Sequence, residues 1–185
     1  MVTPTKRITV NEFDAWVNLP ENYEQLYEFI GGEIVEVPSN PRVSEIAFDI
    51  GVHIKLFLRD HGIEGHVTGE AGGYMVSGER YAPDVAYISV EKQAKLEFKP
   101  GYNPSPPDLA VEVVSPHDSE RNLAIKVANY LAAVTVVWVV RPAKNEVEVF
   151  VPGKPVRVLT VADTLDGGDV LPGFTLAVKA IFPEE

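Results

Sequence analysis

Hydrophobic and polar positions along this chain follow two periods, and the switches between them mark out its elements. Thr9 and Glu12 have the spacing of a capping box ahead of Phe13, Trp16 and Val17, and Pro20 closes this first helix. Leu26-Tyr27-Glu28-Phe29-Ile30 and Glu33-Ile34-Val35-Glu36-Val37 flank Gly31-Gly32, the signal of a two-residue hairpin. From Pro41 to His61 the residues Val43, Ile46, Ala47, Ile50, Ile54, Phe57 and Leu58 recur at helical spacing, and Gly62 is the stop. Strands are predicted over 64–68, 73–76 and 82–90. The connection from 91 to 107 is rich in Lys, Pro and Gly and is long enough to move or to touch a ligand. A strand follows at 109–114. Ser115-Pro116-His117-Asp118-Ser119 then starts a helix, capped by Asp118 or Ser119, that runs to about Ala133 with Leu123, Val127, Leu131 and Val134 on one face. Strands at 135–141 and 146–151 pair around Pro142-Ala143-Lys144-Asn145, and another spans 156–161. Leu171-Pro172-Gly173-Phe174 and the apolar Ala180-Ile181-Phe182 close the pattern.

Strands on both sides of two substantial helices predict an α/β or α+β chain built on a mixed sheet. There is no internal repeat or linker, so 1–185 is expected to be one domain, large enough to bury roughly 70% of its unfolded surface. The chain has no cysteine, which excludes disulfides and zinc–thiolate sites. No apolar segment backs Lys6 and Arg7, and the longest apolar run, Leu131 to Val140, is too short to span a bilayer. A cytoplasmic, membrane-free protein is the expectation. The net charge of -11 speaks against tight, non-specific nucleic-acid binding, which normally leaves a basic footprint.

Two carboxylates stand out against the strand pattern. Alternate side chains of a strand share a face, so Asp84 falls between Ala82 and Ala86, and Glu112 between Ala110 and Val114. A buried carboxylate is costly unless it is paired, hydrogen-bonded or metal-bound. Two in consecutive strands suggest one shared cation. Asp84, directly after Pro83, fits a structural role at a turn-to-strand transition equally well; Glu112, mid-strand between apolar neighbours, is harder to explain that way. Lys126 lies about 60° from Leu123 and about 40° from Tyr130 around its helix, at the edge of the apolar stripe. From there it either snorkels to solvent or reaches the carboxylates. The histidines His53, His61, His66 and His117 lack metal-ligand spacing, and His117 fits best as a neighbour of the helix cap. The Gly pairs lack P-loop or dinucleotide surroundings, and Ser115 lacks a base partner.

Pro83-Asp84, then Glu112-Val113-Val114, then Lys126 on the following helix resembles the PD-(D/E)XK nuclease superfamily. More specifically the chain is similar to the Uma-two family of restriction-endonuclease-like proteins. The likeness includes Tyr27-Glu28, Gly32-Glu33-Ile34, Pro83-Asp84-Val85 and Glu112-Val113-Val114-Ser115-Pro116. It continues through Lys126 with Tyr130, Val137-Trp138-Val139-Val140, Leu171-Pro172-Gly173-Phe174 and Ile181-Phe182. Val114 stands where the triplet lysine would be, and the resemblance moves that role to Lys126.

What the resemblance implies is a restriction endonuclease-like fold and Mg²⁺-dependent endonuclease chemistry on nucleic acid, DNA first, with Mn²⁺ as a substitute. Asp84 and Glu112 would be metal ligands, Glu33 a third, and Lys126 the residue that orients water or steadies the developing charge. Glu45 is the weaker alternative to Glu33, since charged helical residues usually face water. A homodimer is expected, because two symmetric sites cut two strands. Two other readings stay open: a binding or assembly module that keeps the fold without turnover, and a hydrolase of a smaller phosphate substrate. Read as a stripe-edge residue, Lys126 is expected to contribute little to stability.

Overall fold

The structure, a computed structural model, describes residues 7–37, 40–116 and 118–182. His117 lies outside the described residues. In chain order the elements are α1 (Val10–Val17), β1 (Tyr27–Ile30), β2 (Glu33–Glu36), α2 (Pro41–Asp60), β3 (Gly65–Gly69), β4 (Tyr74–Val76), β5 (Glu79–Tyr81) and β6 (Val85–Ser89). They continue with β7 (Leu109–Val113), α3 (Glu120–Ala132), β8 (Val136–Arg141), β9 (Glu146–Phe150), β10 (Arg157–Thr160), β11 (Thr164–Asp166) and β12 (Thr175–Ala177).

A six-stranded sheet in the order β10-β9-β8-β7-β6-β3 is the backbone of the fold. Its pairs are antiparallel except β7 with β8, which run parallel and are joined across α3. Parallel neighbours need such a crossover, and the Ser119-capped helix supplies it. A four-stranded sheet, β2-β1-β5-β4, and the small hairpin β11-β12 complete the set. The β1–β2 hairpin turns at Gly31 and Gly32, both at positive φ (60° and 85°), as its right-handed twist requires.

Strand alternation sorts the large sheet into two apolar layers. Val85, Tyr87, Leu109, Val111 and Val113 face α2, packing on Ile46, Ile50 and Ile54. Ala86, Ala110, Val137 and Val139 face α3, packing on Leu123, Val127 and Tyr130 and on Ile30, Tyr74 and Tyr81 from the small sheet. The short side chains of Ala86 and Ala110 leave room on this second face, and it is there that Glu112 points.

Two expectations change. The strand predicted over 82–90 begins only at Val85, and a separate β5 precedes it. Pro83 cannot donate to a ladder, so the chain breaks pairing between the two sheets at Ala82–Asp84. The hairpin β11-β12 was not predicted, because three-residue strands carry too little periodicity to read.

Candidate active site

The antiparallel register of β6 on β7 pairs Val85 with Val111 and Ala86 with Ala110. One step further along that register Asp84 comes beside Glu112. Asp84 Oδ2 accepts the Val113 N–H at 2.6 Å, which fixes its carboxylate at the strand end. Glu112 is 7% exposed, and its two oxygens are separately engaged: Oε2 accepts from Lys126 Nζ at 2.6 Å, Oε1 from the Tyr130 hydroxyl at 3.1 Å. Lys126 and Tyr130 are one turn apart on α3, so a single helix face delivers both donors.

The small sheet supplies the fourth group. Glu28, buried in mid-β1, accepts on one oxygen from Lys126 Nζ and from the Ala82 N–H, both at 2.8 Å. The Ala82 contact ties β1 to the break before β6. The Tyr81 ring lies beneath the ammonium, 5.7 Å from Nζ to its centroid. Glu28, Asp84, Glu112 and Lys126, with Ser115 and Asn122, line one cavity of about 120 Å³.

Three carboxylates share one ammonium in this space, so charge is in excess of its partners. Burial pushes the Asp84 carboxyl up to about 6, only partly offset by the Val113 N–H and Lys126. Burial likewise raises Glu112, against the pull of Lys126. Burial alone would lower Lys126; the Glu112 and Glu28 carboxylates outweigh it, and the ammonium is held charged. Among the described residues Asp84 Oδ1 and Glu28 Oε2 receive no hydrogen bond, and neither is sealed from solvent. No three Asp, Glu, His or Cys side chains among the described residues already stand as a metal-ligand cluster. The Lys126 ammonium itself bridges Glu28 and Glu112.

A family model, Uma2, described as "Putative restriction endonuclease", matches residues 10–179. The chain belongs to the Uma2 family. Among solved structures, a "putative nuclease belonging to DUF820" from Anabaena variabilis ATCC 29413 is 21% identical to it, with a TM-score of 0.81. That likeness covers 95% of this chain and 97% of the other, and it shows a common fold. No curated protein matches the chain.

Within this Uma2 chain the predicted residues fare differently. Asp84, Glu112 and Lys126 come together. Glu33 does not: it lies at the start of β2, 3.8 Å from the Arg121 guanidinium, and takes no part in lining the cavity. Alternation does not separate the two, since Glu28 with Val35 and Ile30 with Glu33 share one face of the hairpin; Glu33 stands at the turn end of that face, beyond Ile30. Glu28 occupies the cavity instead. It was legible by the argument that singled out Glu112, because Leu26 and Ile30 flank it on its own face. Glu45 pairs with Arg42 at 3.1 Å on an exposed helix face. Lys126 is not a stripe-edge residue with its head in water; it is 7% exposed. Val114, at the triplet-lysine position, lines the same cavity as Lys126. Among the described residues no helix is long and apolar enough to cross a membrane.

Proposed function

We propose that this protein is a metal-dependent endonuclease that hydrolyses nucleic-acid phosphodiester bonds, DNA being the first substrate to test. The observation that carries the reading is the buried Glu28–Lys126–Glu112 bridge with Asp84 beside it in one cavity. Hard oxygen donors in anionic excess fit Mg²⁺, or Mn²⁺ in its place. Asp84 and Glu112 would hold the cation, with Glu28 in the place expected of Glu33; the unpartnered Asp84 and Glu28 oxygens support that fit. The bound cation would neutralise phosphoryl charge and acidify water.

The chain's own residues do the rest. Val113 holds the Asp84 carboxylate by its N–H, leaving the second oxygen without a hydrogen bond among the described residues. Tyr130 fixes the Glu112 carboxylate by donating to it. Lys126, held charged, places a positive group where a pentacovalent phosphorane develops negative charge. A homodimer, presenting two such sites to two strands, belongs to the same reading.

One observation favours a second reading. The Lys126 hydrogen bonds to both carboxylates also make an internal brace, which a binding module without turnover would retain. Plasmid nicking with Mg²⁺ or Mn²⁺ separates the two. Cleavage by the wild type, lost in Asp84→Asn and in Lys126→Met, supports the enzyme. Failure of the wild type to cut any DNA or RNA with either cation leaves the module.

A further inference from the structure

A second cavity of about 350 Å³ lies between α2 and β3, walled by Ala47, Phe48, Gly51, Val52 and Val67. Asp84 lines both this slot and the candidate active site, so the two cavities adjoin at one residue. The slot's volume is at the lower end of the roughly 300–1,000 Å³ that small-ligand sites occupy.

Its construction is particular. Phe48 is 71% exposed although Ala47 beside it is buried, so a large apolar ring flanks the slot in water. Gly51 opens the floor. A Cβ there would meet only the Val85 methyls, at 3.6 and 3.7 Å, so a larger side chain at this position has room to enter the slot. Lys55, one turn beyond Gly51, lines the slot and makes no ion pair among the described residues. The Ser44 hydroxyl, one turn before Phe48, likewise makes no hydrogen bond there.

We infer that this slot is a nucleobase subsite, taking the base adjacent to the phosphate that Asp84 faces, with Phe48 stacking on it and Lys55 meeting the next phosphate. The inference rests on the nuclease reading and deepens it: the substrate is nucleic acid with unpaired bases. A base inside a duplex must leave its stack to enter such a slot, whereas a single strand or a flap offers it directly. Stacking on aromatic rings is tolerant of sequence and needs little positive charge. That suits a chain of net charge -11, for which phosphate attraction is a weak source of affinity.

The test is fluorescence anisotropy in EDTA, so that binding is read without cleavage. The probes are a labelled short oligothymidylate and a labelled hairpin duplex of equal charge. The wild type should bind the single strand at least about tenfold more tightly than the duplex. Phe48→Ala and the slot-filling Gly51→Leu should each weaken single-strand binding roughly five- to one-hundred-fold, with Phe48→Trp retaining it. Phe48 is exposed, so its variants stay folded even if Gly51→Leu does not. The inference is overturned if the duplex binds as well as the single strand, or if Phe48→Ala changes nothing. It is also overturned if Phe48→Ala turns a dimer into a monomer by light scattering, since the slot is then covered by a second copy. In each of these cases, metal-dependent cleavage lost in Asp84→Asn leaves the nuclease reading standing. A wild type that binds and cuts neither probe sinks both.

Discussion

The Lys126 ammonium stands 2.6 Å from Glu112 Oε2, with each side chain about 9% exposed, and the same nitrogen reaches Glu28. An ion pair this deep gains little over an apolar core as long as it is whole, but breaking it leaves charge stranded in a poor solvent. Lys126→Ala is therefore expected to cost about 3–5 kcal/mol in urea denaturation at pH 8. Lys126→Met, which restores the volume, should lose nearly as much, because the stranded carboxylates are the cause. A cost under about 1 kcal/mol for both variants would be that of a solvated pair and would contradict the burial.

Asp84 sits in the opposite balance. Its carboxyl is raised in the folded state, so the fold holds that proton more firmly than the unfolded chain does. Stability from this source is full near pH 4 and is lost as pH rises through about 6. Asp84→Asn keeps an oxygen for the Val113 N–H without the charge. It should stabilise the protein by about 2–3 kcal/mol at pH 8 and hardly at all at pH 4, while abolishing cleavage. Equal stability of the two proteins across that range would contradict the buried charge.

Divalent cations should reverse that pH dependence. Mg²⁺ or Mn²⁺ favours the ionised carboxylates, so melting temperature is expected to rise on adding either at pH 8, and less at pH 5. At a hundredfold excess over the dissociation constant the gain is about 2.7 kcal/mol. EDTA should remove it and Asp84→Asn should lack it. A flat calorimetric response to both ions, in the wild type, rules out the proposed cation site.

A fourth expectation concerns the end of α3. Val134 has φ 63°, a left-handed conformation that a β-branched residue rarely adopts, and it is 73% exposed. The Thr135 N–H to Tyr130 and the Val134 N–H to Leu131 close the helix in the pattern that normally uses glycine. Val134→Gly gives up no packing and should raise stability by about 1 kcal/mol, read as a higher urea midpoint.

Most of the frame could be read from periodicity alone. The α2 helix spans Pro41–Asp60 where its apolar spacing put it, and β7 carries Glu112 on the face the alternation assigned. What periodicity could not supply was which remote elements meet. Lys126 looked marginal on a helical wheel because a wheel sees only its own helix; its burial comes from β1, 98 residues away. Glu28 was passed over in favour of Glu33 for a related reason. A carboxylate beside a hairpin turn looks accessible; the apolar flanks of Glu28 mark it as an anomaly in mid-strand, but which cavity it enters is fixed by β1 lying against Ala82.

The bridge from Glu28 through Lys126 to Glu112 joins β1 to the distant, consecutive pair β7 and α3, with Lys126 lying 98 residues beyond Glu28. During synthesis, the segment bearing Glu28 leaves the ribosome long before the helix bearing Lys126. Half-made chains consequently carry acidic pieces with no ammonium to organise them. Whatever chemistry this cavity performs is thus withheld from nascent fragments, and it becomes available only once the small sheet has closed onto the large one.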